Sequence, residues 1–452
     1  MTIDEFKNKN LESLWQNWYG AKILILGLGK EGLDTLNFFR KLFPEKIIGV
    51  GDRQEISNFP GCKADSPKGC LPIFNLLKRN KRIKLHLGKD YLKAIKHYDV
   101  VIKSPGIPIH LPEIEKAFRE GRITSQTEIF FDNCPGKIIG ITGTKGKSTT
   151  TSLIYAILKE DGINARFVGN IGKPALNLLF SATEKDFFVY ELSSHQLYNL
   201  KKSPYIAVLL NIYQEHLDYY KNFNEYKYAK ANITKYQKKD DFFVFNSKDK
   251  EVREITKKTK ANKIAIKGEY YDLDIAAARA VGKIFKISGT KIEKAIKKFK
   301  PLPHRLENIG TYKGIKFYND ALSTIPETAI AALDYLKNDV QTLFLGGFDR
   351  GLKFEKLASR ILESKIRNLV LFPTTGTRIW KALQLASLVQ CKKMPKHFFT
   401  NKMNNAVKWA YENTDRGKIC LLSCASPSFS IFKDYKEKGG LFKKYVRLYA
   451  KM

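Results

Sequence analysis

One segment constrains the fold more than any other. The apolar run Lys137-Ile-Ile-Gly-Ile141 passes through Thr142-Gly-Thr-Lys-Gly-Lys-Ser-Thr149 into a helical stretch that continues to Lys159. A strand that gives way to a helix through glycines aims several backbone N–H groups at one point, and a helix N-terminus favours an anion there. Within Gly143-Thr144-Lys145-Gly146-Lys147-Ser148-Thr149 the glycines let N–H groups wrap phosphate oxygens. Lys147 supplies a point charge, and Ser148 or Thr149 offers a hydroxyl to Mg²⁺. The loop departs from the usual GxxxxGK[ST] because Ile141 stands where its first glycine belongs. A chance Gly-Lys-Ser turn is the bland alternative, and the strand–loop–helix setting argues against it.

The same alternation fills the rest of the chain, so an α/β architecture with mostly parallel sheets is expected. Ala21-Lys-Ile-Leu-Ile-Leu26 leads through Gly27-Leu-Gly29-Lys30-Glu31-Gly32 into a helical segment at 33–43, then into Lys46-Ile-Ile-Gly-Val50 and Asp52. Such a βαβ unit admits a diphosphate to a helix N-terminus, with Asp52 placed to accept from a ribose or base. A tight turn that binds nothing is the competing reading. Asp99-Val-Val-Ile-Lys103 followed by Ser104-Pro-Gly-Ile-Pro108 looks like a later strand with its ligand-side loop. After the phosphate loop come strand-like runs at 187–190, 206–210 and 242–245. Beyond the proline-marked linker Pro301-Leu-Pro-His304 lie others near 315–318, 342–345, 368–371 and 418–422.

At 452 residues the chain exceeds one ordinary core, so two or three domains are expected. No apolar run nears the ~20 residues that cross a bilayer, and the N-terminus has no signal-peptide pattern. A soluble, cytoplasmic protein without a membrane partner is expected. Cys62, Cys70, Cys134, Cys391, Cys420 and Cys424 form no CxxC pair, which favours reduced thiols over a zinc site or disulfides. The net charge of +34 fits a polyanion partner. The lysines, however, are spread over the whole chain without an RNP-like or zinc-finger pattern. No nucleic acid is expected, and local positive fields suit a phosphorylated substrate.

Glu191, in Tyr-Glu-Leu-Ser-Ser-His195, and His216, in Asn211-Ile-Tyr-Gln-Glu-His216-Leu-Asp218, both follow strand-like runs. Both therefore belong on the edge that holds the phosphate loop, where a carboxylate and an imidazole would hold Mg²⁺. Taken singly, a histidine there is more often structural.

These residues, with Gly169-Asn170-Ile-Gly172, Leu302-Pro-His-Arg305 and Asn319-Asp320 in order, resemble the Mur ligase family over nearly the whole chain. The resemblance is closest to the members that add glutamate to UDP-N-acetylmuramoyl-L-alanine. It implies three domains. A Rossmann-like domain at 1–131 would bind the UDP substrate, and a P-loop-type mononucleotide-binding domain at 132–300 would carry the ATPase. A second Rossmann-like domain at 301–452 would bind the amino acid. It also implies ATP and Mg²⁺ as cofactors, a role in cell-wall synthesis, and a monomer. ATP would phosphorylate the substrate carboxylate, and the glutamate amine would attack the acyl phosphate. By the same resemblance Lys147, His216 and Lys230 carry the chemistry, and Ser148, Glu191, His216 and a carbamylated Lys230 hold metal. Tyr271, Arg305 and Asp320 join the loop in binding ATP. Gly29, Lys30, Glu31, Asp52, Ser104 and Asn170 face the UDP substrate, while Thr324, Arg350, Ser428 and Tyr435 face the amino acid.

Three departures stand out. The family's Gly-x-His-Asn-x-x-Asn stretch is Gly268-Glu-Tyr-Tyr-Asp-Leu-Asp274 here, which alters the adenine contacts. Ala321-Leu-Ser-Thr324 replaces Ser-Lys-Ala-Thr, so a lysine is missing. Arg350 replaces the lysine expected on a glutamate carboxylate, and the two are not equivalent. The last two changes resemble a subfamily that attaches L-glutamate, so D- and L-glutamate both remain open. Rival readings are a folylpolyglutamate synthase-like or later Mur enzyme, and a nucleic-acid-binding ATPase. The N-terminal glycine-rich domain argues against the first, and the Ser-Pro-Ser segment near 428 against the second. Salt-sensitive, DNA-stimulated ATPase activity would mark the third.

Overall fold

The computed structural model describes residues 8–55, 80–169, 175–216, 219–300 and 302–451. The chain gathers into two compact units, one of residues 1–267 with 274–297 and one of residues 268–273 with 298–452.

The first unit carries two parallel sheets. One joins β1 (Ile23–Leu26), β2 (Ile48–Asp52), β3 (Ile83–Leu87), β4 (Val100–Lys103) and β5 (Ile123–Thr124) in the order β3-β2-β1-β4-β5. The other joins β6 (Lys137–Thr142), β7 (Ala165–Gly169), β8 (Phe187–Glu191), β9 (Ile206–Leu209), β10 (Phe242–Asn246) and β11 (Asn262–Ile266) in the order β11-β10-β9-β6-β8-β7. Every residue of β1 and β9 is buried. Parallel strands covered by helices on both faces need no polar alternation, which is why these segments read as unbroken apolar runs.

One apolar cluster spans both sheets. Phe130, on the helix Gln126–Asn133, lies edge-on to Phe188 and Tyr190 of β8, with ring centroids at 5.2 and 5.5 Å. The helix starts are set by local polar chemistry. The Ser125 hydroxyl accepts from the Glu128 N–H, and the Asn222 side chain accepts from the Glu225 N–H at the start of the helix Phe223–Lys235. Each satisfies a donor the helix itself leaves unpaired.

The second unit holds β12 (Glu307–Tyr312), β13 (Ile315–Asn319), β14 (Val340–Gly346), β15 (Asn368–Phe372), β16 (Lys396–Phe399) and β17 (Ile419–Leu422) in the order β12-β13-β17-β14-β15-β16. β12 is antiparallel to β13, and the other pairs are parallel. Leu343, Leu345, Leu369 and Leu371 enter one core while Phe344, Val370 and Phe372 enter the other, as successive strand residues must. Among the described residues Cys134, Cys391, Cys420 and Cys424 are free thiols, while Cys62 and Cys70 lie outside them.

Candidate active site

β6 lies between β8 and β9, so the loops that leave these three strands share one edge. From β6 comes the loop 143–149, β8 ends on Glu191, and β9 leads to 210–216. The β9 loop shapes the phosphate loop. The Thr144 N–H donates to the Asn211 carbonyl, and the Lys145 N–H to Asn211 Oδ1, both at 2.8 Å. Gly146 takes φ +87°, and a Cβ there would stand 2.3 Å from Asp274 Oδ1, so only glycine fits. Asp274 also accepts from the buried Thr150 hydroxyl at 2.9 Å.

Two lysines meet on one oxygen. Lys147 Nζ donates to the carbonyls of Gly143 and Thr144 at 3.0 Å each, and Lys230 Nζ donates to the same Gly143 carbonyl at 2.9 Å. Lys230 is only 1% exposed and shares the buried side of its helix with Tyr226 and Ala229. Burial, and then the neighbouring Lys147, hold its amine well below the usual lysine range. Lys145 reaches Glu215 Oε1 at 3.1 Å. Burial pushes the Glu215 carboxyl up, but Lys145, His216 and Lys147 outweigh it and bring it to about 2.

His216 has φ +60°, and its Nε2 lies 3.7 Å from Glu215 Oε2. The His195 ring stands edge-on to it at 4.8 Å, and burial, then His216, lower the His195 imidazole to about 3. Glu191 is 3% exposed, and its Oε2 has no hydrogen-bond partner; the buried Thr142 Oγ1 has none either. Ile141 is in register with Glu191, so both unmet oxygens sit at the same end of neighbouring strands. Buried oxygens are rarely left unmet, and unmet oxygen donors beside a phosphate loop fit a hard cation such as Mg²⁺. Ser148 is 1% exposed at the start of the helix Lys147–Glu160. Among the described residues no three His, Cys, Asp or Glu side chains gather into a ready-made metal site.

The glycine turn after β1 is organised from within. Gly29 caps the helix Lys30–Leu42, Lys30 is exposed, and the Ser104 hydroxyl donates to the Gly27 carbonyl at 3.0 Å. Asp52 accepts from the Leu28 N–H at 2.7 Å and the Gln54 N–H at 2.8 Å, so its carboxylate holds the turn itself. Glu31 Oε1 accepts from Gln196 Nε2 at 2.8 Å, its Oε2 is buried without a partner, and burial raises the carboxyl to about 7. Asn170 lies outside the described residues.

In the second unit Asp320 is buried and accepts from the Ser423 hydroxyl at 2.9 Å, the Tyr270 hydroxyl at 3.0 Å and the Leu306 N–H at 3.1 Å. Burial nevertheless lifts it to about 6. Tyr271 follows Tyr270 in the helix Tyr270–Ile284, and the Arg305 N–H donates to the Leu302 carbonyl at 3.3 Å. Arg350 leaves β14 and Ser428 leaves β17; these strands are parallel neighbours, so both residues stand at one edge. The Ser428 Oγ is buried without a partner, Thr324 precedes the helix Pro326–Leu336, and the Tyr435 ring is 5.8 Å from His304.

The structure thus gathers Lys145, Lys147, Ser148, Glu191, His216 and Lys230 at the edge of one sheet. Sequence reasoning missed Glu215, His195 and Asp274. Glu215 was signalled only by its place beside His216, and Asp274 by the stretch that departs from the family pattern.

Comparison with known proteins decides the family. The Mur ligase middle domain family matches residues 141–303. UDP-N-acetylmuramoylalanine–D-glutamate ligase of Acetivibrio thermocellus is 32% identical over 97% of this chain and 99% of its own. The ligase of the same name from Clostridium kluyveri is 33% identical with the same coverage. The chain belongs to the Mur ligase family. It is accordingly an ATP-dependent ligase that forms amide bonds. Two solved Mur ligases of Thermotoga maritima share the fold: MurF in complex with ADP, at TM-score 0.57, 15% identity and 94% and 95% coverage of the two chains, and MurC, at TM-score 0.56, 16% identity and 95% and 99% coverage.

Proposed function

We propose that this Mur ligase joins glutamate to the alanyl carboxylate of UDP-N-acetylmuramoyl-L-alanine, releasing ADP and phosphate. The observation that carries the reading is the convergence of Lys147 and Lys230 on the Gly143 carbonyl at the mouth of the phosphate loop. The Lys147 ammonium, held there on a neutral oxygen, is poised to exchange it for the oxygens of a transferring phosphoryl group, with the buried Lys230 amine beside it. The γ-phosphoryl of ATP passes to the substrate carboxylate. The glutamate amine then attacks the acyl carbon, a tetrahedral intermediate expels phosphate, and the amine loses its proton.

Lys147 offsets the growing charge on the phosphoryl oxygens. Mg²⁺ would neutralise phosphate charge when bound, and Ser148, Glu191 and His216 would hold it. The buried position of Lys230 supports a further step. Addition of CO₂ to its neutral amine, with loss of a proton, would turn a donor into an oxygen ligand. Residues 1–131 would bind the UDP-linked substrate, 132–300 ATP and 301–452 glutamate, with Arg350, Ser428, Tyr435 and Thr324 around the amino acid. We assign the working form to a cytoplasmic monomer that needs no nucleic acid.

The names of the relatives, both D-glutamate ligases, support D-glutamate. Arg350 and the missing lysine at Leu322 support L-glutamate as a second reading. Purified protein with UDP-N-acetylmuramoyl-L-alanine, ATP, Mg²⁺ and each glutamate enantiomer separates them. Product with one enantiomer and matching ADP is expected; no product with either would refute the assignment.

A further inference from the structure

The helix Thr375–Gln390 reverses the usual distribution of side chains in its last two turns. Ile379 and Leu383 are fully buried in the core, while Leu385, Leu388 and Val389 are 66%, 76% and 84% exposed. At about 3.6 residues per turn, Leu388 points directly away from Ile379. Lys381 stands on the same outward side, and Lys392 and Lys393 follow directly after the helix. Lys396 opens β16, the edge strand of this sheet, and its N–H donates to the Arg367 carbonyl, which brings a second cation beside it.

The charge of this region is one-sided. Residues 364–411 contain nine Lys and Arg and no Asp or Glu, although 45 acids in 452 residues would place about five there. Arg367 has a distant partner in Asp415, at 3.6 Å. Among the described residues, Lys381, Lys392, Lys393 and Lys396 form no ion pair. The helix is the crossover between the parallel strands β15 and β16, so its last turns lie where those strands begin. Arg350 and Ser428 follow strand ends, at the opposite edge of the same sheet.

We propose that this face docks on an anionic lipid surface, with Leu385, Leu388 and Val389 inserted at the headgroup boundary and the flanking lysines on lipid phosphates. A bilayer offers apolar and anionic groups side by side, which this patch needs. Nucleic-acid surfaces are usually met by aromatic side chains or Arg planes rather than by an exposed aliphatic cluster. A second copy would set one positive field against another, and like charges facing each other oppose association. The contact is peripheral, and no described helix is long and apolar enough to cross a membrane.

Flotation of the full chain with vesicles tests this. Phosphatidylcholine vesicles carrying about 30% phosphatidylglycerol should bind the protein in low salt and release it as salt rises, while pure phosphatidylcholine vesicles should not bind it. The triple variant Leu385→Gln, Leu388→Gln, Val389→Gln should bind at least about tenfold more weakly, with ligase rate and Tm unchanged. Lys392→Gln with Lys393→Gln should weaken binding at low salt. No flotation with anionic vesicles would overturn the proposal. Equal binding by the triple variant would reduce the effect to bare charge and overturn it as well. If the triple variant altered self-association and left flotation unchanged, a second copy would be the occupant and the lipid proposal would fall.

Discussion

Lys230 is a lysine where a charged amine is least comfortable, enclosed and beside the Lys147 ammonium. Replacing it with methionine keeps most of the volume and removes the group that reaches Gly143. The expected result is a fall in kcat of about 10²–10³ with unchanged circular dichroism, the usual cost of one preorganised charge-stabilising donor. A variant with near-native kcat would remove Lys230 from the chemistry. Arg350 is proposed to act on binding instead. Arg350→Ala should raise KM for glutamate roughly tenfold to a hundredfold, the worth of a charged hydrogen bond, and leave KM for ATP alone. Steady-state kinetics on both substrates checks it.

Asp320 gives a pH signature. Its carboxyl sits at about 6 when folded against an ordinary 3.8, because burial disfavours the charge even with three donors around it. Between those values the folded chain keeps a proton that the unfolded chain has released. This contribution to stability is therefore complete at low pH, lost as pH rises to about 6, and level beyond. Thermal unfolding of Asp320→Asn alongside the parent should show the variant gaining on the parent across that window. A difference independent of pH would contradict it.

At the scale of elements, the loop 143–149 depends on one conformation. Gly146→Ala places a methyl against Asp274 and Leu210 in left-handed backbone. ATP affinity should fall at least about tenfold by calorimetry, since the N–H groups that face the phosphates would be displaced; unchanged affinity would show that the loop tolerates the shift. The elements themselves were unevenly legible. β1, β9 and β17 are unbroken apolar runs because both faces are covered, β6 and β14 have apolar centres, and all five are legible. β3, β5, β11, β12 and β16 carry exposed or half-exposed positions or are very short, and went unseen. Edge strands need little apolar content, so periodicity is silent about them. The site followed the same logic. Lys147, Glu191 and His216 stand at the ends of legible strands or in a glycine loop. Glu215 and Asp274 act through contacts distant in sequence, Lys145 with Glu215 and Thr150 with Asp274, which no local pattern announces.

At the scale of the whole molecule, two sheets with one shared core carry the phosphate loop and the glycine turn, and a separate unit carries Arg350 and Ser428. In the proposed reaction a carboxylate is first phosphorylated and then attacked by an amine. Oxygen-18 tracing follows that order directly. With the alanyl carboxylate of UDP-N-acetylmuramoyl-L-alanine labelled in both oxygens, one labelled oxygen should leave in each phosphate released, and Lys147→Ala should abolish the transfer. Amide product accompanied by unlabelled phosphate would contradict the acyl-phosphate route and the role assigned to the phosphate loop.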